Sequence, residues 1–254
     1  MRNARFIAVA AVVAALGIAA VAYAQNAYQN QYTVNGSVSA SGGTKDKPKP
    51  GGLKFSFDTT EASGNMPGPI LKYRILFEGG KVNSSLVPGC KASAMSAAQS
   101  DKSCPAKSAI GSGVVKALAG AAGGPVADAA PCELGLTIYN SGDGKAALWL
   151  EGGPGTAHNC IAGIHQAIDA KWVKTADSSG LEFTVPDSLR HVAGLDVAVI
   201  HADSTIKKIT AKKKGKTVGF LESTGCADKN RTISVIFTDE AGSAVTAKKD
   251  LGKC

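Results

Sequence analysis

Apolar and polar residues alternate at a period of two through most of this chain, and that rhythm constrains its fold more than any motif does. Tyr32, Val34 and Val38 alternate with Thr33, Asn35, Ser37 and Ser39. Leu53, Phe55 and Phe57 form a second such set, and Leu71, Tyr73, Ile75 and Phe77 a third. The rhythm returns at Leu134 to Ile138, Leu148 and Leu150, Leu181 to Val185, Leu195 to Val199, and Ile233 to Phe237. Each set puts its apolar members on one face of a half-buried strand. Between the sets lie stretches rich in Gly, Pro, Asn and Asp, at 41–50, 64–69, 140–144 and 152–155, which supply turn chemistry. No long window keeps a period of 3.6. The pattern predicts an all-β antiparallel sandwich, immunoglobulin-like or jelly-roll-like, with at most a short helical excursion near 91–103.

Composition agrees with a packed β protein. The hydrophobic fraction of 44% is too high for disorder, and the 30 glycines follow no collagen-like repeat. The formal net charge is +8.

The first residues carry Arg2 and Arg5, then an unbroken apolar run from Phe6 to Val21, then Ala22, Tyr23 and Ala24. This is the layout of an export signal with cleavage before Gln25. The run is shorter than the ~20 residues that span a bilayer, so no transmembrane anchor is expected after cleavage. The expected product is residues 25–254, secreted to the extracellular space or the cell envelope. A single domain is expected, the alternative being a separate N-terminal module over 25–50, because Lys45 to Gly52 reads as a linker.

All six cysteines lie beyond the leader, at Cys90, Cys104, Cys132, Cys160, Cys226 and Cys254. An even count in an exported chain favours disulfides, and six cysteines allow fifteen pairings. Ile233, Val235 and Phe237 lead into a turn at Asp239 to Gly242, and Cys226 and Cys254 are symmetric about it, so they face each other across an open hairpin end. Cys90 and Cys104 bracket an Ala-rich excursion and close a short loop. Elimination leaves Cys132 with Cys160. With no Cys-x-x-Cys pair and no odd cysteine, neither a metal site nor a reactive thiol is expected.

Several stretches together resemble a known group: 43–50 before Leu53 to Phe57, Cys104-Pro105 leading to Gly111 and Gly113, Val185-Pro186 before Leu189, and Gly219 to Cys226 before a strand and a last cysteine. They are similar to an uncharacterised group of secreted, disulfide-containing, β-rich proteins of high-GC Gram-positive (actinobacterial) bacteria. The resemblance implies a secreted β fold and no catalytic residue, and it does not extend to Cys132 and Cys160.

Candidate chemistry is sparse. His158 and His165 fall seven residues apart, which is neither the helical nor the strand spacing of a zinc site. His201 lies near Asp196 and Asp203, but the Gly-x-Ser-x-Gly elbow of a hydrolase is absent, and Ser112 in Ile110 to Gly113 comes nearest. Gly152 to Gly155 and Asp143 read as turns rather than as phosphate or calcium loops. Trp149, on the opposite face from Leu148 and Leu150, and Trp172 are sugar-stacking platforms if they face outward, and core or rim packing is the commoner role of tryptophan in a sandwich. No cofactor and no metal are expected.

One feature stands out. Lys207, Lys208, Lys212, Lys213, Lys214 and Lys216 cluster around what reads as the tip of a hairpin. Such a cluster attracts an anionic polymer, for example a cell-wall polymer or acidic glycan, and the lack of interleaved aromatics argues against specific nucleic-acid binding. The plainer alternative is a solvated turn whose lysines discourage sheet aggregation. The function expected is an exported, non-catalytic structural or binding module of the cell envelope or extracellular space. The alternative is a secreted hydrolase, glycan- or ester-directed, whose residues converge only in space.

Overall fold

A computed structural model describes residues 28–40 and 42–254. The export signal, the cleavage site and Gln25 lie outside the described residues. In chain order the strands are β1 (Asn30–Val38), β2 (Lys49–Gly51), β3 (Leu53–Glu61), β4 (Ile70–Glu78), β5 (Gly80–Val82), β6 (Ala109–Gly120), β7 (Ala130–Gly142), β8 (Lys145–Gly152) and β9 (Ile164–Lys174). They continue with β10 (Ser178–Thr184), β11 (His191–Val192), β12 (Leu195–Ile206), β13 (Thr210–Lys213), β14 (Lys216–Gly219), β15 (Leu221–Ser223), β16 (Asn230–Asp239) and β17 (Ala244–Lys253).

Most of them join one antiparallel sheet in the order β1-β3-β12-β6-β7-β8-β9-β10-β4-β16-β17, with β11 beside β12. The all-β, antiparallel expectation holds. The layout differs from the expected sandwich, immunoglobulin-like or jelly-roll-like, because the ladder is continuous. The sheet curls until β1 lies against β16 and β17, giving a nearly closed barrel. At that seam Tyr32 of β1 stacks on Phe237 of β16, with ring centroids 3.9 Å apart, and the amide of Gly42 donates to the carbonyl of Cys254 at 2.8 Å. Local alternation specifies a half-buried strand but not how far a sheet curls, so a sandwich and a barrel share the same sequence rhythm.

The strands run up and down, so the turns fall at two ends. The upper end holds 62–69, 121–129, 153–163, 185–194 and 240–243, and the lower end holds 39–40, 42–52, 79–108, 143–144, 175–177 and 207–229. Close strand approach explains one of the glycines in β6: a Cβ on Gly113 would stand 1.9 Å from the carbonyl oxygen of Asp203 on the neighbouring β12.

Two apolar layers hold the sheet. Inward-facing Phe55, Phe57, Ile138, Leu148, Ile168, Val235 and Phe237 belong to the main core. Burying one such side chain stabilises by about 1.5–3 kcal/mol. A second, smaller layer lies on the outer face of β7, β8 and β9. There the helix Ala92–Ala98, inside the expected 91–103 excursion, lays Ala92 and the fully buried Met95 over Tyr139, Ala147, Trp149 and Ala167. This explains why β8 is buried on both faces, from Ala146 through Leu150.

The three disulfides join Cys90 to Cys104, Cys132 to Cys160 and Cys226 to Cys254, the pairs read from the sequence. The first staples the helical excursion, and Tyr139 of β7 donates to Asp101 within it at 2.7 Å. The second pins the 153–163 turn to β7 at the upper end. The third closes the open end of the β16–β17 hairpin, whose tip is tied by the amide of Ser243 donating to Asp239 Oδ1 at 2.8 Å. Three disulfides fit an oxidising, extracytoplasmic setting. Among the described residues no helix is long and apolar enough to cross a membrane.

Candidate functional site

The lysine cluster occupies its own small hairpin. β13 and β14 pair with each other alone, from Thr210↔Gly219 to Lys213↔Lys216, and form no ladder with the main sheet. Lys214 (φ 50°) and Gly215 (φ 78°) make the two-residue turn. Positive φ at both central positions matches the twist of a tight hairpin, and glycine takes the second of them without strain. Lys207, Lys208, Lys212, Lys213, Lys214 and Lys216 are all exposed. Lys212 donates to Thr217 Oγ1 at 3.0 Å, and among the described residues none of the six lysines is ion-paired to a carboxylate. β14 lies beside β2, which carries exposed Lys49, and exposed Lys45 and Lys47 precede it. The hairpin is anchored by Glu222 of β15, 2% exposed, which accepts from the amide of Gly219 at 3.0 Å, from Asn83 at 2.9 Å and from Lys81 at 3.3 Å.

The histidines are scattered, and His158, His191 and His201 are held by carboxylates. His201 faces Asp58 at 2.7 Å through Nδ1 and Asp203 at 3.6 Å through Nε2. His158 faces Glu133 at 3.2 Å, and the His165 ring lies 6.3 Å from that of Trp149. Ser112 is exposed on β6, opposite Thr137 and Thr205. Among the described residues no serine hydroxyl bonds a histidine ring, so Ser112, His201, Asp196 and Asp203 do not assemble into a triad. Asp143 (φ 48°) and Gly144 (φ 72°) form the β7–β8 turn.

His191 belongs to a cluster at the upper end that the sequence did not disclose. The one-turn helix Asp187–Arg190 is tied to the β16–β17 turn by Arg190, which contacts Glu240 and lies 3.1 Å from Asp187. His191 reaches Glu240 at 2.7 Å through Nε2 and Asp196 at 3.0 Å through Nδ1, and Tyr28 donates to Asp196. Burial, followed by the Asp196 carboxylate, pushes the Tyr28 phenol above its ordinary value. Asp187, His191 and Glu240 converge as metal ligands would, but the Arg190 guanidinium already bridges the two carboxylates and supplies the positive charge. A cation there would have to displace it.

The tryptophans are packing residues. Trp149 faces outward as expected, but the helix Ala92–Ala98 covers it and it is only 1% exposed, with its indole N–H donating to Glu151 at 3.2 Å. Trp149 therefore packs, the commoner role, and offers no sugar platform. Trp172 meets Phe220 edge-on at 5.7 Å near the lower end of the barrel.

On the outer face, Glu182 of β10 is 7% exposed and ringed by Lys171 at 2.9 Å, Arg74 at 3.0 Å and Lys72 at 3.3 Å. Burial disfavours its charge, but these cations prevail and hold the carboxyl below its usual range.

Inside the barrel a cavity of about 160 Å³ opens toward the upper end, where Ile161, Ile164, Val185, Leu189 and Val192 form its rim. Apart from Tyr73, Asp203 and Ser204, its wall is apolar. Nothing in the alternating pattern foretold this space. Compared with family models, curated proteins and solved structures, the chain matches none.

Proposed function

We propose that this chain is a non-catalytic binding module that works outside the cytoplasm and holds an anionic polymer of the cell envelope, a wall polymer or acidic glycan, through the β13–β14 hairpin. The observation that carries the reading is the uncompensated charge of that hairpin. Lys207, Lys208, Lys212, Lys213, Lys214 and Lys216 are exposed and unpaired by any described carboxylate, and Lys45, Lys47 and Lys49 widen the patch. A concentrated cationic tip raises the local potential and captures a polyanion in a salt-dependent way. The hairpin from Lys207 to Gly219 has no aromatic residue on which bases would stack, which favours a polymer without bases.

The test is retention of the purified, oxidised protein on isolated cell walls across a salt series. Retention that weakens steadily with salt, and that drops by tenfold or more when Lys212, Lys213 and Lys214 are all replaced by Ser, is the expected result. Retention indifferent both to salt and to the triple replacement would overturn the reading.

A further inference from the structure

An eight-stranded barrel is just filled by its own side chains, and eleven strands follow one another around this nearly closed sheet, so its interior needs bulk that the sequence does not everywhere provide. The lower half is filled: Ile110, Ile206, Phe220 and Leu221 are all buried there. From mid-height upward it is not. Small residues occupy inward positions, Ala202 on β12 at mid-height beside Phe57 and Val115, and Ala117 and Ala119 above it on β6, and they line the cavity of about 160 Å³. An apolar cavity of about 150 Å³ stays dry and takes benzene or xenon, so this volume suits a ring or a chain of about six carbons.

We propose that the barrel interior is a binding site for a small, neutral, apolar molecule of that size. Phe57, Tyr73 and Phe183 supply one aromatic wall, with Tyr73 and Phe183 stacked at 5.2 Å and Phe57 tilted against Tyr73 at 5.5 Å. Leu134, Leu148 and Ile168 face them with aliphatic surface. No cation lines the space, so a buried carboxylate or phosphate would find no partner and the occupant is uncharged. Burial keeps the Tyr73 phenol protonated, leaving the wall without charge on that side. The entrance lies at the upper end, between Ile161, a large apolar side chain left 58% exposed, and Leu189 and Val192 of the 185–192 segment. This site is at the opposite end from the lysine hairpin and stands independently of it.

The experiment uses benzene as the probe against the oxidised protein, with methyl resonances of Leu134, Leu148 and Ile168 as the readout. Saturable shifts confined to cavity methyls, with a rise in Tm, are expected. Ala117→Leu and Ala202→Leu fill the space and should weaken benzene binding at least tenfold while circular dichroism stays unchanged. If the filled variants do not fold, Leu148→Ala serves instead, because the enlarged cavity should admit naphthalene that the original protein excludes. Cavity methyls unmoved by benzene, filled variants that bind as before, or a Leu148→Ala variant that ignores naphthalene would each overturn the proposal.

Discussion

The lower end of the barrel is packed shut and cationic, with Phe220 and Leu221 inside and the lysine hairpin outside. The upper end is open and apolar within, and its rim is laced by Asp187, Arg190, His191 and Glu240. At the lower end positive charge is left unpaired and projected away from the sheet, whereas at the upper end charges are paired with one another around the entrance. Unpaired charge acts at a distance on polymers, while paired charge fixes the position of what it ties down. One sheet thus presents two unlike surfaces, and each can be altered without the other.

The largest expected effect comes from Cys132→Ser with Cys160→Ser. Loss of this bridge should destabilise by about 3–4 kcal/mol, read by urea unfolding, because the unfolded chain regains the freedom of the 28-residue loop that the bridge closes, and it leaves the 153–163 turn held to β7 by the Glu133 amide donating to Asn159. Benzene binding should fall with it, and wall retention at a folded temperature should not. A loss of both would show that the two ends are not independent.

Glu182→Gln removes the anion shared by Lys72, Arg74 and Lys171. These cations are partly exposed and can return to water, so the expected cost is about 1–2 kcal/mol. The Glu182 carboxyl is held low in the folded protein, so its contribution is complete above the unfolded value near ~4.3 and fades as pH falls through the lower folded value. The stability gap between the two proteins should therefore close in acid, and a gap constant from pH 7 to strongly acid pH would refute the assignment. Neither end should change its binding.

Glu240→Gln loosens the contacts that Arg190 and His191 make with the β16–β17 turn, at about 1 kcal/mol in Tm-derived stability. Since Leu189 and Val192 ride on the same segment, benzene should exchange several-fold faster by line-shape analysis with little change in affinity. Unchanged exchange would place the entrance elsewhere. The smallest effect on stability, within about 0.5 kcal/mol, belongs to the Lys212, Lys213 and Lys214 triple replacement. It should still flatten the salt dependence of wall retention by roughly one logarithmic unit per lost contact.

Features governed by near neighbours were legible in the sequence. The β16–β17 hairpin, the bridge across its open end and the lysine tip all follow from symmetric spacing about a turn. β9 was missed because Ile164, Ile168 and Trp172 recur every fourth residue and Ala167 is buried on the opposite face, which blurs the period-two rhythm. What covers the outward face of Trp149 was not legible, because the helix comes from Ala92–Ala98, far away in the chain. The cavity was hidden for the same kind of reason: Ala117 and Ala202 read as ordinary small strand residues until the sheet curls and sets them around one space.

The helix lying over Trp149 also makes the protein its own optical instrument. The chain holds two tryptophans, one beneath that outer helix and one against Phe220 at the base of the barrel. With Trp172 replaced by Phe, emission comes from Trp149 alone. A red shift on reduction of Cys90–Cys104 would then time the lifting of the helix from the sheet in real time, without any attached dye.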